Sequence, residues 1–297
     1  MRTTSKALGA ACLAAVVLCL PLRLHAGAPA ADLARVILGA SGIRGGLVVH
    51  LGCGDGVVTA ALHANDGYLV HGLDANAANV AKARAHIEKT GLTGKVSVEQ
   101  WNSARLPYAD NLVNLLVAED LGKVPMAEVL RVLVPDGVAY VKSGGEWKVT
   151  GKPWPESIDE WGHYLHDATG NAVARDSEVG PPKHMRWVCE PLYARSHEID
   201  TTVAAVVSAR GRLFYILDEG LTGITDERLP ERWAVVARDA FNGIELWRRP
   251  LPDWGWPQWK KDALAGKDWT GLRGQRTRSP ASIPRRRAAA GLSLIHI

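Results

Sequence analysis

Apolar and helix-periodic segments alternate along the first half of the chain. Gly46–Leu51 (GLVVHL) is a short apolar run bounded by glycines, which predicts a buried strand. Similar runs at 68–73, 95–100, 112–117 and 138–141 predict four more strands. Between them, 57–65, 76–90 and 125–134 carry helical spacing, and Gly91 supplies a C-terminal stop for the second helix. Alternating strands and helices imply a parallel sheet with right-handed crossovers. The sequence shows no clear closing hairpin after the fifth strand, so the sheet is expected to be incomplete.

The pattern changes near residue 145. Residues 146–190 lose the alternation and read as a connector with one helix, opened by a Ser157–Glu160 capping box. Beyond Pro191 the pattern turns β-like. Strands are expected at 203–208 and 212–217 around Gly211, and at 233–238 and 245–248 around the hairpin signal Asn242-Gly243. Residues 252–270 are rich in Trp and Pro and predict irregular structure.

Composition sharpens this division. Of eleven Trp, only Trp101 precedes residue 145. Hydrophobic content of 47% and charged content of 22% are those of a folded chain, which excludes wholesale disorder. The net charge of +4 is mild. Six Arg and no acid fall within 271–297, but no groove-reading motif accompanies them, so no nucleic-acid partner is expected. Arg2 and Lys6 precede the apolar stretch 7–20, Pro21 and then Ala26, the pattern of a cleaved secretory signal over 1–26. That stretch is too short for a permanent membrane span, and it predicts export to the periplasm or beyond. After cleavage Cys53 and Cys189 remain, with no CxxC spacing.

The chemistry-bearing motif is His50-Leu51-Gly52-Cys53-Gly54-Asp55-Gly56, at a strand-to-helix turn. Glycines there let backbone approach a ligand closely. Asp74 ends the next strand, 22 residues after Gly52, where a carboxylate can accept both hydroxyls of a ribose. This stretch resembles the class I S-adenosylmethionine-dependent methyltransferases, which have a Rossmann-like fold. HLGCGDG is similar to their first motif, GLDAN to their second, 103–110 to the segment beside the adenine, and LRVLVPDG to the turn before the fifth strand. The resemblance implies a cofactor site of His50, Gly52, Cys53, Gly54, Gly56, Asp74, Ala75, Asn102 and Ser103, with S-adenosylmethionine as cofactor. It assigns no catalytic residue and no methyl acceptor. His50, Asn102 and Asn114 stand where that family commonly carries acids.

Residues 233–248 (WAVVARDAFNGIELWR) resemble a repeat of the quinoprotein-type β-propellers, with Asp239, Gly243 and Trp247 in the matching places. One or two blades fit in the chain, too few to build a pyrroloquinoline quinone site, so that cofactor is not expected. On the expected connector helix, Asp159, His163 and His166 fall at i, i+4 and i+7. That face is either a weak metal candidate completed by His184 or His197, or a polar face packed at a domain boundary. Gly291 to Ile297 resembles a translated sequencing adapter and is expected to be extraneous. The expected organisation is a signal at 1–26, a Rossmann-like α/β domain at 30–145, the connector at 146–190, a β-propeller fragment at 191–290 and the tail at 291–297. The function expected is methyl transfer from S-adenosylmethionine; the alternative is a non-catalytic exported binding or scaffold protein. The whole resembles exported bacterial fusions of these two domain types.

Overall fold

The structure, a computed structural model, describes residues 17–18, 29–178, 180, 184–190, 203–220, 232–252, 254, 287–290 and 293–296. A seven-stranded sheet organises the first half. In chain order its strands and helices are β1 (Val17–Leu18), α1 (Ala30–Ser41), β2 (Gly46–Leu51), α2 (Val57–Ala61), β3 (Tyr68–Asp74), α3 (Ala77–Lys89), β4 (Val96–Gln100), β5 (Val113–Ala118), α4 (Met126–Val132), β6 (Leu133–Ser143) and β7 (Glu146–Gly151). Strands β4, β3, β2, β5 and β6 lie side by side and parallel, as the alternation of elements predicts.

Burial on both faces explains why the central strands read as unbroken apolar runs: all six residues of β5 are buried. On one face Val48, Leu115, Val117 and Tyr140 pack with Ala34 and Ile37 of α1 and with Val80, Ala83 and Ile87 of α3. On the other, Val49, Leu116, Ala139 and Val141 pack with Val129 and Val132 of α4. Each fully buried aliphatic side chain contributes about 1.5–3 kcal/mol. Helix α3 is set by its cap, where the Asn76 side chain accepts from the Ala78 N–H at 2.8 Å.

Two expectations fail here. The sheet is not left incomplete, because β7 returns antiparallel along β6, with Tyr140 opposite Val149. The β1 pair Val17 and Leu18 adds to the outer edge of β7, and the rest of 1–26 lies outside the described residues. The connector helix is also absent: no helix occurs among the described residues of 146–190. Asp159 turns its carboxylate to the backbone N–H groups of Glu160 and Arg175 instead, a local bonding pattern that competes with helix formation. Gly162, inside the expected helix, weakens helix formation further.

The second half holds a four-stranded antiparallel sheet in the order β11-β10-β9-β8, formed by β8 (Val203–Ala209), β9 (Arg212–Asp218), β10 (Trp233–Asp239) and β11 (Glu245–Pro250). The last described pair is β12 (Arg287–Ala290) with β13 (Ser293–His296), so part of the expected tail is a strand. The irregular stretch expected at 252–270 lies almost wholly outside the described residues.

The turn between β10 and β11 docks against the first sheet. Asn114 Nδ2 donates to Asp239 Oδ2 at 2.7 Å, and Asn242 Nδ2 donates to Asn114 Oδ1 at 2.7 Å and to the Leu112 carbonyl at 3.0 Å. Arg210 pairs with Asp136 at 2.7 Å nearby. Leu112 and Asn114 lie at the amino-terminal end of β5, so the second sheet covers the amino ends of the parallel strands. These contacts leave the carboxyl ends, where open α/β sheets bind ligands, clear of the turn.

Candidate functional site

The loop 52–56 leaves the carboxyl end of β2 and is tied down by its own backbone. Gly52 and Cys53 donate to the Leu73 carbonyl at 2.7 and 3.1 Å, and Gly56 donates to the Cys53 carbonyl at 3.0 Å. Two glycines are needed for different reasons. Gly54 has φ +57 and an ideal Cβ there meets no atom within 4 Å, so the loop presents bare backbone to open space. At Gly56 the same atom would lie 2.7 Å from the Ala83 Cβ, so the loop can pass over α3 only without a side chain.

Asp74, at the carboxyl end of β3, clasps this loop. Its Oδ2 accepts from the Gly54 N–H at 2.9 Å, and its Oδ1 from the Asn76 N–H at 2.8 Å. The Asn79 amide donates to both oxygens at 3.3 and 3.4 Å. Asp74 is only 7% exposed, and these four contacts occupy the roughly four lone-pair sites of its carboxylate, the two long ones from Asn79 being the weakest. Asn76 and Asn79 were not read as site residues from the sequence; the signal for them is an Asn two and five residues after the acid that ends a strand.

The remaining predicted residues divide into two groups. Ala75 stays close to Asp74, and its carbonyl accepts from Gln100 Nε2 at 3.1 Å. Asn102 and Ser103 follow the carboxyl end of β4, where Asn102 Oδ1 accepts from Lys123 Nζ at 3.1 Å and Ser103 Oγ from the Arg105 N–H at 3.2 Å. All of these positions therefore line up along the carboxyl edge of β2, β3 and β4. His50 and Cys53 are buried beneath the loop. Burial pushes the His50 imidazole down to about 4, against the opposing pull of Glu119 and Asp74, so it is neutral at physiological pH. Its Nδ1 meets Thr59 Oγ1 at 2.8 Å. Burial, with Asp74 adding to it, pushes the Cys53 thiol up to about 12, which leaves it inert rather than nucleophilic.

The metal candidates do not assemble. Asp159 Oδ2 and His166 Nε2 meet at 2.7 Å, but His163 joins only through its backbone N–H to the His166 carbonyl. Backbone N–H groups, with His166, hold Asp159 down to about 2. Among the described residues no group of three or more His, Cys, Asp or Glu is placed to hold a metal ion. His197 lies outside the described residues.

Comparison with known proteins places this site in context. Residues 48–137 match the family described as "Methyltransferase domain". That segment is similar to methyltransferase domains. It contains the glycine loop, Asp74 and the edge positions of β4. A curated protein of Haemophilus influenzae, described as uncharacterized, is 30% identical over 99 residues, which is 31% of this chain and 39% of that protein. Among solved structures, a putative S-adenosyl-L-methionine-dependent methyltransferase from Methanococcus maripaludis is 24% identical with a TM-score of 0.35, covering 39% of this chain and 56% of that one. Geranyl diphosphate C-methyltransferase from Streptomyces coelicolor is 20% identical with a TM-score of 0.35, covering 37% and 44%. The chain thus spans about two fifths of the curated relative and about half of these structures.

Proposed function

We propose that residues 30–151 bind S-adenosylmethionine across the carboxyl ends of β2, β3 and β4 and direct its methyl group to an acceptor. The observation that carries this reading is the Asp74 clasp on a glycine loop whose backbone faces open space. The residues present fit the group. The two long contacts from Asn79 to Asp74 are the ones that ribose hydroxyls would replace, Gly52 and Gly54 leave room for the methionine portion, and Ala75, Asn102 and Ser103 flank the adenine side. His50, neutral and bonded to Thr59, supports the loop from below without adding charge. When bound, the cofactor supplies an electrophilic methyl group on a sulfonium sulfur. The chain's part is to align donor and acceptor, and alignment alone provides much of the rate of an in-line displacement. Titration of the full chain with S-adenosylmethionine should give saturable heat. A folded chain that gives none overturns the reading.

The same proposal places the protein outside the cytoplasm and treats the second sheet as a propeller-type blade. Its four antiparallel strands, the Asp239–Gly243 turn and the packing of Trp247 on Phe214 at 6.0 Å support the blade. Arg2, Lys6 and the apolar stretch before Pro21 support export. A chain expressed from its own start codon should be recovered outside the cytoplasm, shortened at Ala26 or Ala28; recovery at full length in the cytosol overturns this part.

A further inference from the structure

The loop 101–112 leaves the carboxyl end of β4 and carries Asn102 and Ser103 past the candidate site. Its start is fixed there by the Trp101 N–H, which donates to the Asp74 carbonyl at 2.9 Å. Its far half is fixed to α4, where Arg131 donates to the Leu106 and Tyr108 carbonyls and pairs with Asp110 at 2.6 Å. A side-chain bond then ties it to the sheet itself. The Tyr108 hydroxyl meets His71 Nδ1 of β3 at 2.8 Å, with the two rings edge-on and their centroids 5.8 Å apart.

The surroundings fix the direction of that bond. Burial, with Glu99 adding to it, raises the Tyr108 phenol above its ordinary value, so the hydroxyl keeps its proton and donates. His71 Nε2 faces Glu99 Oε2 of β4 at 3.8 Å, which favours the ring proton on that nitrogen and leaves Nδ1 a lone pair. Protonating the imidazole removes the lone pair. Nδ1 then becomes a donor, and the Tyr108 hydroxyl must turn its own hydrogen away from the acceptor it had. Burial holds His71 below its ordinary value against the pull of Glu99, so the closed arrangement favours the neutral ring. Neighbouring groups do not take over this control. β2 places Val49 beside His71, and β4 places Ser97 and Glu99 there. On the loop and α4, Asp110 and Glu128 pair with Arg131, and Arg105 acts on Glu128.

We propose that His71 is a proton-sensitive anchor for the loop 101–112, holding it when neutral and releasing it when charged. Neutral, the imidazole accepts the Tyr108 hydroxyl and keeps Asn102 and Ser103 at the carboxyl edge. Charged, it lets the loop move, so acid loosens the site without altering any residue that lines it. His71 and Tyr108 are positioning residues, acting through the loop. A group whose folded value is lowered contributes stability present above its unfolded value of about 6.5 and lost as pH falls toward the folded value, so release belongs to acid. His50, at about 4, stays largely neutral near pH 5 and does not compete. The link from loop to ligand rests on the cofactor reading above, whereas the release of the loop does not.

Hydrogen exchange of the full chain near pH 8 and near pH 5, read as protection factors so that intrinsic exchange rates cancel, tests the anchor. In the wild type, protection over 101–108 should fall about fivefold in acid, the scale of one hydrogen bond, while β5 stays protected. His71→Asn keeps a side-chain acceptor that does not titrate, and its loop should stay protected at both values. Tyr108→Phe removes the donor, and its loop should be equally under-protected at both. Glu99→Gln removes the charge that favours the imidazolium and should move the fall to lower pH, a shift that a merely structural contact would not produce. Unchanged protection of β5 shows that each variant is folded. Loop protection that is the same at both values in the wild type overturns the anchor, as does a fall that persists undiminished in His71→Asn. S-adenosylmethionine affinity, measured by calorimetry, should fall with the loop in the wild type and hold in His71→Asn. A pH-dependent loop in a chain that binds no ligand at either value overturns the cofactor reading and leaves the anchor standing. Ligand affinity that ignores a pH-dependent loop overturns the loop's part in the site.

Discussion

Replacing Asp74 with Ala should abolish measurable S-adenosylmethionine binding and lower the melting temperature of the chain. The stability effect comes from donors that lose their acceptor: the Gly54 and Asn76 N–H groups and the Asn79 amide, arranged about a carboxylate that is almost fully buried. Each buried donor left unmade costs about 1–3 kcal/mol, and water entering the vacated space offsets part of that, leaving a net loss of about 3 kcal/mol. The affinity effect is separate. Two ribose hydroxyls bonded to an ionised carboxylate contribute at least about 100-fold in binding, given about 1.5–3 kcal/mol for each hydrogen bond to a charged group. Asp74→Asn distinguishes the two effects. It keeps one acceptor oxygen and the side-chain volume, so most of the fold is retained, yet its amide nitrogen faces a backbone donor and affinity still falls. Calorimetric titration and thermal melting of the full chain measure both quantities. Unchanged affinity in Asp74→Ala places the ligand somewhere other than the glycine loop.

The glycine loop and Asp74 were legible in the sequence because each is marked locally, whereas their partners Asn76 and Asn79 were not. The loop is marked by Gly52, Gly54 and Gly56 within five residues, and Asp74 by its place at the end of the next apolar run. The parallel core was legible because strands buried on both faces, such as β5, read as unbroken apolar runs. Strand β7 was not legible. Glu146-Trp-Lys-Val-Thr-Gly is only half-buried, and the reason it pairs with β6 includes the stacking of Trp147 on Tyr140 at 4.8 Å, which spacing along one segment does not reveal. The connector misled for the opposite reason. Ser157 and Glu160 have the spacing of a capping box, but the Asp159 carboxylate is satisfied by backbone groups 1 and 16 residues away and holds the segment as a turn.

Asn114 was legible only as a departure from the resembling family. Its role emerges from partners 125 and 128 residues downstream, Asp239 and Asn242, which no local pattern connects to it. The amide is used at both ends, since Oδ1 also accepts from the Leu47 N–H at 2.8 Å. A carboxylate in its place could accept but not donate. The amino end of β5 is thus matched to the second sheet through hydrogen-bond polarity, while the carboxyl end of the same strand stays with the candidate cofactor site.

Asn114→Asp should therefore be among the most destabilising single substitutions in the chain, although it changes one nitrogen to oxygen. It converts a 2.7 Å donor–acceptor contact into two carboxylates facing each other in a buried contact, 8% and 5% exposed in the native pair. Breaking a buried polar pair so that charge is left uncompensated costs about 3–5 kcal/mol. The penalty should depend on pH in a defined sense. Burial already raises the Asp239 carboxyl above its ordinary value, against the bonds from Asn114, Phe241 and Asn242 that favour the ionised form. A carboxyl whose folded value is raised adds stability that is fully present below its unfolded value near 4 and is lost as pH rises through the folded value. The variant should accordingly melt close to wild type in acid, where one carboxyl keeps its proton and donates to the other, and fall well below it at neutral pH. Adding Asp239→Asn to Asn114→Asp restores one donor to the pair with the polarity reversed, and should recover most of the lost stability at neutral pH. Thermal melts of the wild type, both single variants and the double variant across pH measure this. A double variant no more stable than Asn114→Asp alone shows that the two sheets do not meet through this contact, whereas recovery of stability confirms the contact as the point where the second sheet is fixed to the amino ends of the first.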